Sequence, residues 1–347
     1  MRSTTLLPAA ALGLGLALGG CGASEPVPAA TATPAEAGQG STRYPLTLDN
    51  CGQTVTFDAA PQRVVSLDQG STEILLSLGL ADRVVGTASW TDPVLPALEA
   101  ANADVPRLAD NAPTYEVVLD TDPGFVTASF GRHYKTGGVA ERARFAESGI
   151  ESYLSPTDCD HGVSINGGGG KRSTPLTMDA VYVEIRELAE IFDVRDRGEQ
   201  LVADLEQRRQ AALATIDASD RTVAFWFADT KTPYVAGGTG APHALAVDAG
   251  VENVFDDLRD DWTAVGWETV VERDPEFLVL GDLARDRFPG DRLADKEEFL
   301  RTDPLTATMT AVREQHYVAL HGAEMNPSIR AVDGLEKLAA GLSTTGA

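Results

Sequence analysis

The sequence predicts an α/β protein of two doubly wound lobes, with a cleft between them and a long helical connector joining them. Three observations carry that prediction. A strand–helix–strand unit reads through "RVVSLDQGSTEILLSLGLADRVVGTAS", helical spacing fills Thr177 to Ile216, and βα alternation restarts at "RTVAFWF". A chain of 347 residues also exceeds what one hydrophobic core usually serves. Its 43% hydrophobic and 23% charged residues are ordinary for a globular protein. A formal charge of −24 repels a phosphate backbone, so nucleic acid is not an expected partner.

The first twenty residues read as a signal peptide: Arg2 supplies a positive start and "LLPAAALGLGLAL" an apolar run too short to span a bilayer. The run ends in "LGGC", which resembles a bacterial lipobox and implies cleavage before Cys21 and lipidation of its sulfur. An ordinary signal with a coincident cysteine is the alternative. Acyl chains contribute about 0.8 kcal/mol per buried CH₂, so two or three would hold the protein on the outer face of the cell membrane. Residues 21–41, rich in Ala, Pro, Thr and Gly, read as a disordered tether. Of three cysteines, Cys51 and Cys159 remain. Outside the cytoplasm they suggest one disulfide, against the alternative of two unpaired thiols.

The N-terminal lobe is expected over 42–176. "YPLTLDNCGQTVTFD" alternates around Asn50-Cys51-Gly52 as a β-hairpin. "RVVSL" is a strand, and "STEILLSLGL" a helix capped by Ser71 or Thr72 and ended by Gly79. "RVVGTAS", "FVTASF" and "IESYLS" continue a buried parallel sheet. The connector, 177–216, is interrupted near Val194 and fits a helix pair as well as one rod. The C-terminal lobe, 217–347, takes strands "RTVAFWF", "FLVLGD" and "QHYVALHG", with helices in "HALAVDAGV" and "RAVDGLEKLAAGL".

One phrase occurs in both lobes. "YEVVLDTDPGFV" starts at Tyr115 and "WETVVERDPEFL" at Trp267. Tyr115, Val118 and Leu119 share one apolar helix face, as do Trp267, Val270 and Val271. Asp122-Pro and Asp274-Pro then stop each helix, because proline disfavours helix at the preceding residue. Glu116 and Glu268 project away from the buried face. A first-turn glutamate gains roughly 0.3–1 kcal/mol from the helix dipole. That does not explain why both lobes keep Glu while Val117 gives way to Thr269 and Thr121 to Arg273.

This phrase resembles the "x-E-x-[VI]-x-x-x-x-P-[DE]-x-[VIL]" segment of type III substrate-binding proteins of ABC importers, which handle ferric siderophores, haem and cobalamin. "PQRVVSLDQGSTEILLSLGLADRVVGTAS" resembles the family's first strand–helix–strand and "VAGGTGAPHALAVDAGVENVF" the start of its second lobe. The resemblance covers roughly residues 44 to 343. It implies a monomer that binds a ferric siderophore or related chelate without any cofactor and passes it to a permease dimer with its ATPase. It further implies that Glu116 and Glu268 dock on arginines of the two permease subunits. Haem and cobalamin are the alternative cargoes.

The resemblance places the ligand between the lobes, past the carboxyl ends of the strands. Candidates are Asp68, Gln69 and Ser71, then Trp90, then Arg132, His133 and Tyr134 in "FGRHYK". Trp226, Tyr234, Trp262 and Met325 come from the second lobe, and Arg107 lies on the approach to Glu116. Aromatics suit bulky surfaces and arginine suits anionic oxygens around a ferric centre. His133 and Tyr134 are a weak haem-ligand pair, and the other histidines lack metal-ligand spacing. "GGGGKRST" resembles a phosphate loop, but Arg172 breaks its register; a flexible loop pinned by Cys159 fits better. No nucleophile elbow or dinucleotide fingerprint supports an exported enzyme, and an adhesive lipoprotein would not need the paired glutamates.

Overall fold

The computed structural model describes residues 41–168, 171–216 and 220–343. Cys21 and the leader and tether readings on residues 1–40 lie outside these described residues.

The chain enters through a hairpin, β1 (Leu46–Asn50) and β2 (Gln53–Phe57). Cys51 and Gly52 both take positive φ, 54° and 74°, as a two-residue hairpin turn requires. A Cβ on Gly52 would stand 2.7 Å from the Gly162 carbonyl oxygen, so contact as well as φ demands glycine there.

The first lobe continues with β3 (Val64–Ser66), α1 (Gln69–Ser77), β4 (Val84–Ala88), α2 (Glu99–Asn102) and β5 (Arg107–Ala109). Then come α3 (Tyr115–Leu119), β6 (Phe125–Ala128), α4 (Arg142–Glu147) and β7 (Glu151–Leu154). Its sheet is parallel throughout, in the order β5-β4-β3-β6-β7. Strand order reverses between β3 and β6, the kind of switch point that leaves a crevice at the strand ends. α1 begins two residues before Ser71, and its cap is Asp68, whose Oδ1 accepts the Ser71 amide at 3.2 Å. Both predicted caps are displaced by a side chain that serves β6 as well. After β7 a small hairpin, β8 (Cys159–Asp160) and β9 (Val163–Ser164), leads into one helical turn, α5 (Ile165–Gly168). Cys51 and Cys159 are disulfide-bonded, with Cα atoms 5.7 Å apart.

Two helices follow, α6 (Asp179–Ile191) and α7 (Arg195–Leu213), separated where Asp193 turns to a φ of 58°. They pack so closely that a Cβ on Gly198 would meet the Ala189 methyl at 2.5 Å.

The second lobe runs β10 (Thr222–Ala228), β11 (Tyr234–Ala236), α8 (Ala241–Ala249), β12 (Glu252–Asn253), β13 (Trp262–Ala264) and α9 (Trp267–Arg273). It ends with β14 (Phe277–Asp282), α10 (Leu293–Thr302), α11 (Thr310–Arg313), β15 (Tyr317–His321) and α12 (Ala331–Ser343). Strand order is β13-β11-β10-β14-β15, with β12 beside β10. β10, β12, β14 and β15 are parallel; β11 runs antiparallel to β10, and β13 pairs antiparallel with β11 and so runs with the rest. The cause is local: only five residues join β10 to β11, too few for a crossover.

One core cluster reaches across both lobes, taking in Ile74 and Leu75 of α1, Ile185 and Leu188 of α6, Phe225 of β10 and Leu335 of α12. Each such side chain contributes roughly 1.5–3 kcal/mol by leaving water. A buried ion pair adds a polar joint. Arg330 Nε donates to Glu73 Oε2 at 2.7 Å, its Nη2 reaches the Pro93 carbonyl at 2.6 Å, and neither side chain is exposed. The lobes therefore meet over a packed floor. No helix among the described residues is long and apolar enough to cross a membrane.

Candidate functional site

A cleft of about 620 Å³ opens above that floor, walled by the strand ends of both sheets. Past β3 stand Asp68 and Gln69, past β4 Trp90, and past β6 Phe130 and Arg132. The opposite wall presents Phe227, Tyr234, Trp262 and the segment carrying Arg285, Arg287 and Phe288. Tyr234 stacks on Trp262 at 5.9 Å between centroids, and Phe227 tilts against the same indole at 5.0 Å. Neighbouring strands β10, β11 and β13 thus carry an aromatic platform.

The acids lining the cleft are already engaged. Asp68 Oδ2 accepts the Ser129 and Phe130 amides at 2.7 and 3.2 Å, fixing the turn after β6. Asp158 accepts the Gly131 amide at 2.9 Å and the Ser164 hydroxyl at 2.7 Å; burial nonetheless raises its pKa. Asp261 takes Arg172 Nε at 2.9 and 3.0 Å on its two oxygens. Asp229 binds two amides of its own turn, and Asp110 faces Arg107 at 3.6 Å.

The arginines divide differently. Arg172 is neutralised by Asp261, and Arg285 lies 3.3 Å from Asp291. Among the described residues the Arg287 guanidinium donates to the Asp110 carbonyl oxygen, at 3.0 Å, and has no ion-pair partner. Arg132 has no ion-pair partner among the described residues, its guanidinium standing 4.7 Å from the Phe130 ring centroid. Enclosure by the cleft walls lowers the Arg132 pKa; Asp68 and Asp158 oppose that shift, while Arg285 and Arg287 add to it. The guanidiniums of the two lobes therefore sense one another, and arginine stays protonated regardless. Two positive charges from opposite walls have no carboxylate ion-pair partner among the described residues. An anion between them would satisfy both.

Of the residues singled out from sequence, Asp68, Gln69, Trp90, Arg132, Tyr234 and Trp262 line the cleft. Six do not. Ser71 is fully buried, 3.1 Å from the Ser129 hydroxyl. His133 and Tyr134 sit on a 3₁₀ turn that aims Arg132 outward and these two inward. His133 is buried with its Nε2 3.8 Å from Asp68, and burial depresses its pKa to about 4. The Tyr134 hydroxyl lies 3.0 and 3.1 Å from the Val126 and Tyr153 carbonyl oxygens. Trp226 alternates to the other face of β10 from Phe227 and packs edge-on against Trp267 at 4.8 Å. Met325 is wholly buried. Arg107 backs the Trp90 ring at 5.5 Å and does not line the cleft itself.

Arg285, Arg287 and Phe288 escaped the sequence reading. The signal was present in "LARDRF", directly past "FLVLGD", where the strand-end rule used elsewhere also applies.

Glu116 and Glu268 occupy matching places, each exposed in the first turn of its helix, α3 or α9. Asp122 and Asp274 both adopt left-handed φ, 48° and 38°, beyond those helices. Glu116 follows cleft-lining Asn111 by five residues and Glu268 follows Ala264 by four. Neither lies more than ~18 Å of extended chain from the rim. Its own backbone amide, then the Thr114 hydroxyl, hold the Glu116 carboxyl below its usual pKa, and Arg144 stands 3.7 Å away.

A family model described as periplasmic binding protein matches residues 64–323. A periplasmic binding protein of Veillonella parvula superposes with a TM-score of 0.73 at 24% identity, covering 86% of this chain and 97% of that one. An ABC-type Fe3+-hydroxamate transport system structure from Saccharomonospora viridis gives 0.71 at 27% identity, covering 88% and 100%. A vitamin B12-binding protein of Vibrio campbellii is 23% identical over 219 residues, 62% of this chain and 70% of that protein.

Proposed function

Because the chain belongs to the periplasmic binding protein family, we propose that it captures an anionic metal chelate, foremost a ferric siderophore, and delivers it to an ABC importer. The family is one of binding proteins, not enzymes. The observation that carries the proposal is the pair Arg132 and Arg287, facing the cleft from opposite lobes without a carboxylate ion-pair partner among the described residues. The platform of Tyr234, Trp262 and Phe227 supplies apolar contact for the chelator's scaffold. The Saccharomonospora likeness, an Fe3+-hydroxamate transport system, supports a ferric chelate as cargo; the anionic charge rests on the two guanidiniums.

Haem is less well served. His133 and Tyr134 are turned inward, which leaves Tyr234 as the tyrosine lining the cleft. Burial, then Asp261 and Asp260, raise its pKa and so oppose an iron-binding phenolate. The Vibrio likeness favours cobalamin, whose scaffold carries no net anionic charge to match two guanidiniums. In this reading Glu116 and Glu268 dock on the two permease subunits above their ATPase. The monomeric protein is held on the extracytoplasmic face of the cell membrane by lipid on Cys21.

Fluorescence titration tests the cargo. Of four tryptophans, Trp90 and Trp262 line the cleft. Ferric citrate, ferric catecholates, ferric hydroxamates, haem and cobalamin form the panel. Saturable quenching by anionic ferric chelates is expected. Saturation by haem or cobalamin alone would overturn the assignment.

A further inference from the structure

Beneath the second wall lie two buried ionic side chains that do not themselves line the cleft. Asp291 and Lys296 are both wholly buried. Asp291 Oδ2 accepts the Arg287 amide at 2.8 Å and the Phe288 amide at 3.0 Å, and its two oxygens lie 3.3 Å from Arg285 Nε and Nη2. Its carbonyl oxygen accepts the Leu283 amide at 2.9 Å, closing residues 283–291 into a loop. Lys296 reaches in from α10. Its Nζ donates to the Gly281 carbonyl at 2.6 Å, to that of Asp291 at 3.3 Å, and to that of Gly290. The Trp226 ring lies 5.2 Å away, which gives that displaced indole a place beneath the loop.

A buried ammonium is costly, and an apolar residue would fill the same space with less desolvation. What the ammonium supplies is donors for three carbonyls that the loop's reversal points inward. What Asp291 supplies is the bend that carries Arg285, Arg287 and Phe288 to the cleft surface. Resting on the anionic-cargo reading, we propose that Asp291 and Lys296 are positioning residues. They hold the 283–291 loop in the shape that presents Arg285 and Arg287 to an anionic cargo. Preorganisation of this kind raises affinity because the loop is ordered before cargo arrives.

Titration behaviour agrees with that geometry. Burial lowers the Lys296 pKa to about 8; Asp291, Asp282 and Asp295 oppose the shift and Arg285 reinforces it. Burial alone would raise the Asp291 pKa, but hydrogen bonds from Arg285 and the Arg287 and Phe288 amides bring it below its usual value. A cargo anion gripped by this loop favours the protonated ammonium. Affinity is therefore highest below about pH 8 and falls as pH rises through that point.

Two variants of the full chain, Asp291→Asn and Lys296→Met, test the proposal. The first readout is hydrogen exchange, which needs no cargo. Amides of residues 285–288 are expected to exchange at least tenfold faster in either variant, with β14 amides unchanged. Unaltered protection of the loop would overturn the proposal, whatever the cargo. The second is titration with ferric citrate and with an uncharged ferric trihydroxamate. Each variant is expected to lose at least tenfold in affinity for the anionic chelate and under twofold for the neutral one. Equal losses for both, or none, would also overturn it. The third is the pH profile: wild-type affinity for ferric citrate declines through about pH 8 and that step disappears in Lys296→Met. A wild-type protein that binds no member of the panel defeats the cargo assignment, and hydrogen exchange then decides the loop's ordering on its own.

Discussion

Beneath the first lobe's cleft wall, Asp68 spends its oxygens on backbone amides, His133 stays neutral and Glu184 stays protonated. Beneath the second, Asp291 and Lys296 remain charged and grip a loop between them. The sheets differ in the same sense. The first is parallel throughout, and its wall is a row of strand ends; the second adds an antiparallel ladder, β10-β11-β13, at one edge, and the aromatics of β11 and β13 face the cleft. A wall with one unpaired guanidinium among the described residues thus opposes a wall that carries both the stacking surface and a cationic loop held by buried charges. The peg helices repeat the asymmetry. Glu116 already has Arg144 and the Thr114 hydroxyl nearby, whereas Glu268 has no ion-pair partner among the described residues.

The largest expected effect comes from removing both pegs. Glu116→Ala with Glu268→Ala is expected to abolish cargo uptake by cells while leaving the dissociation constant in solution unchanged. Of the single variants, Glu268→Ala should lose more, because a permease arginine must displace Arg144 at Glu116 but meets an unpaired carboxylate at Glu268. Weakened affinity in the double variant would move both residues from the docking face into the cleft.

Next in size are the guanidiniums of Arg132 and Arg287, which have no carboxylate ion-pair partner among the described residues. A hydrogen bond to a charged partner contributes about 1.5–3 kcal/mol, which is roughly ten- to a hundredfold in affinity. Arg132→Ala should fall near the upper end for ferric citrate, since no second arginine of the first lobe stands free beside it. Arg287→Ala should lose less, with Arg285 two residues away on the same loop. Isothermal titration separates them. An equal loss would erase the proposed difference between the walls, and no loss in either would remove the anion from the cargo.

How much of this was legible follows a physical line. Parallel strands, α1 and the repeated phrase announce themselves through periodicity and proline, which are local. So is the strand-end rule that found Asp68, Trp90 and Arg132. Facing is not local. Whether Tyr134 or Arg132 points into the cleft depends on a 3₁₀ turn that sequence periodicity does not encode. Trp226 and Phe227 are adjacent aromatics on one strand, and only the packing of Trp267 decides which is core. The hubs Asp158, Asp261 and Asp291 were invisible for another reason. An aspartate that organises distant amides looks, in sequence, like any surface aspartate.

The smallest effect concerns Glu184 of α6, which carries the first lobe's buried proton. Its Oε2 accepts the Ser155 hydroxyl at 2.6 Å, and the Ser71 hydroxyl lies 3.5 Å from Oε1. Burial, with Asp68 and Glu187 adding repulsion, raises its pKa from 4.5 to about 8 against the hydrogen bonds from Ser155 and Ser71. A carboxyl with a raised folded pKa binds more protons folded than unfolded, so stability is lost as pH climbs towards about 8. His133 acts in the opposite sense, but its window closes near pH 6.5, where the unfolded imidazole loses its proton. Between about 6.5 and 8 Glu184 contributes a slope on the order of 1 kcal/mol per pH unit, which its removal isolates. Glu184→Gln keeps the shape and removes the titration. Urea midpoints of wild type and variant should converge near pH 8 less steeply for the variant, which loses little across the window. Parallel slopes would mean that the carboxyl is ionised at neutral pH, and that the first lobe carries a buried charge as the second does.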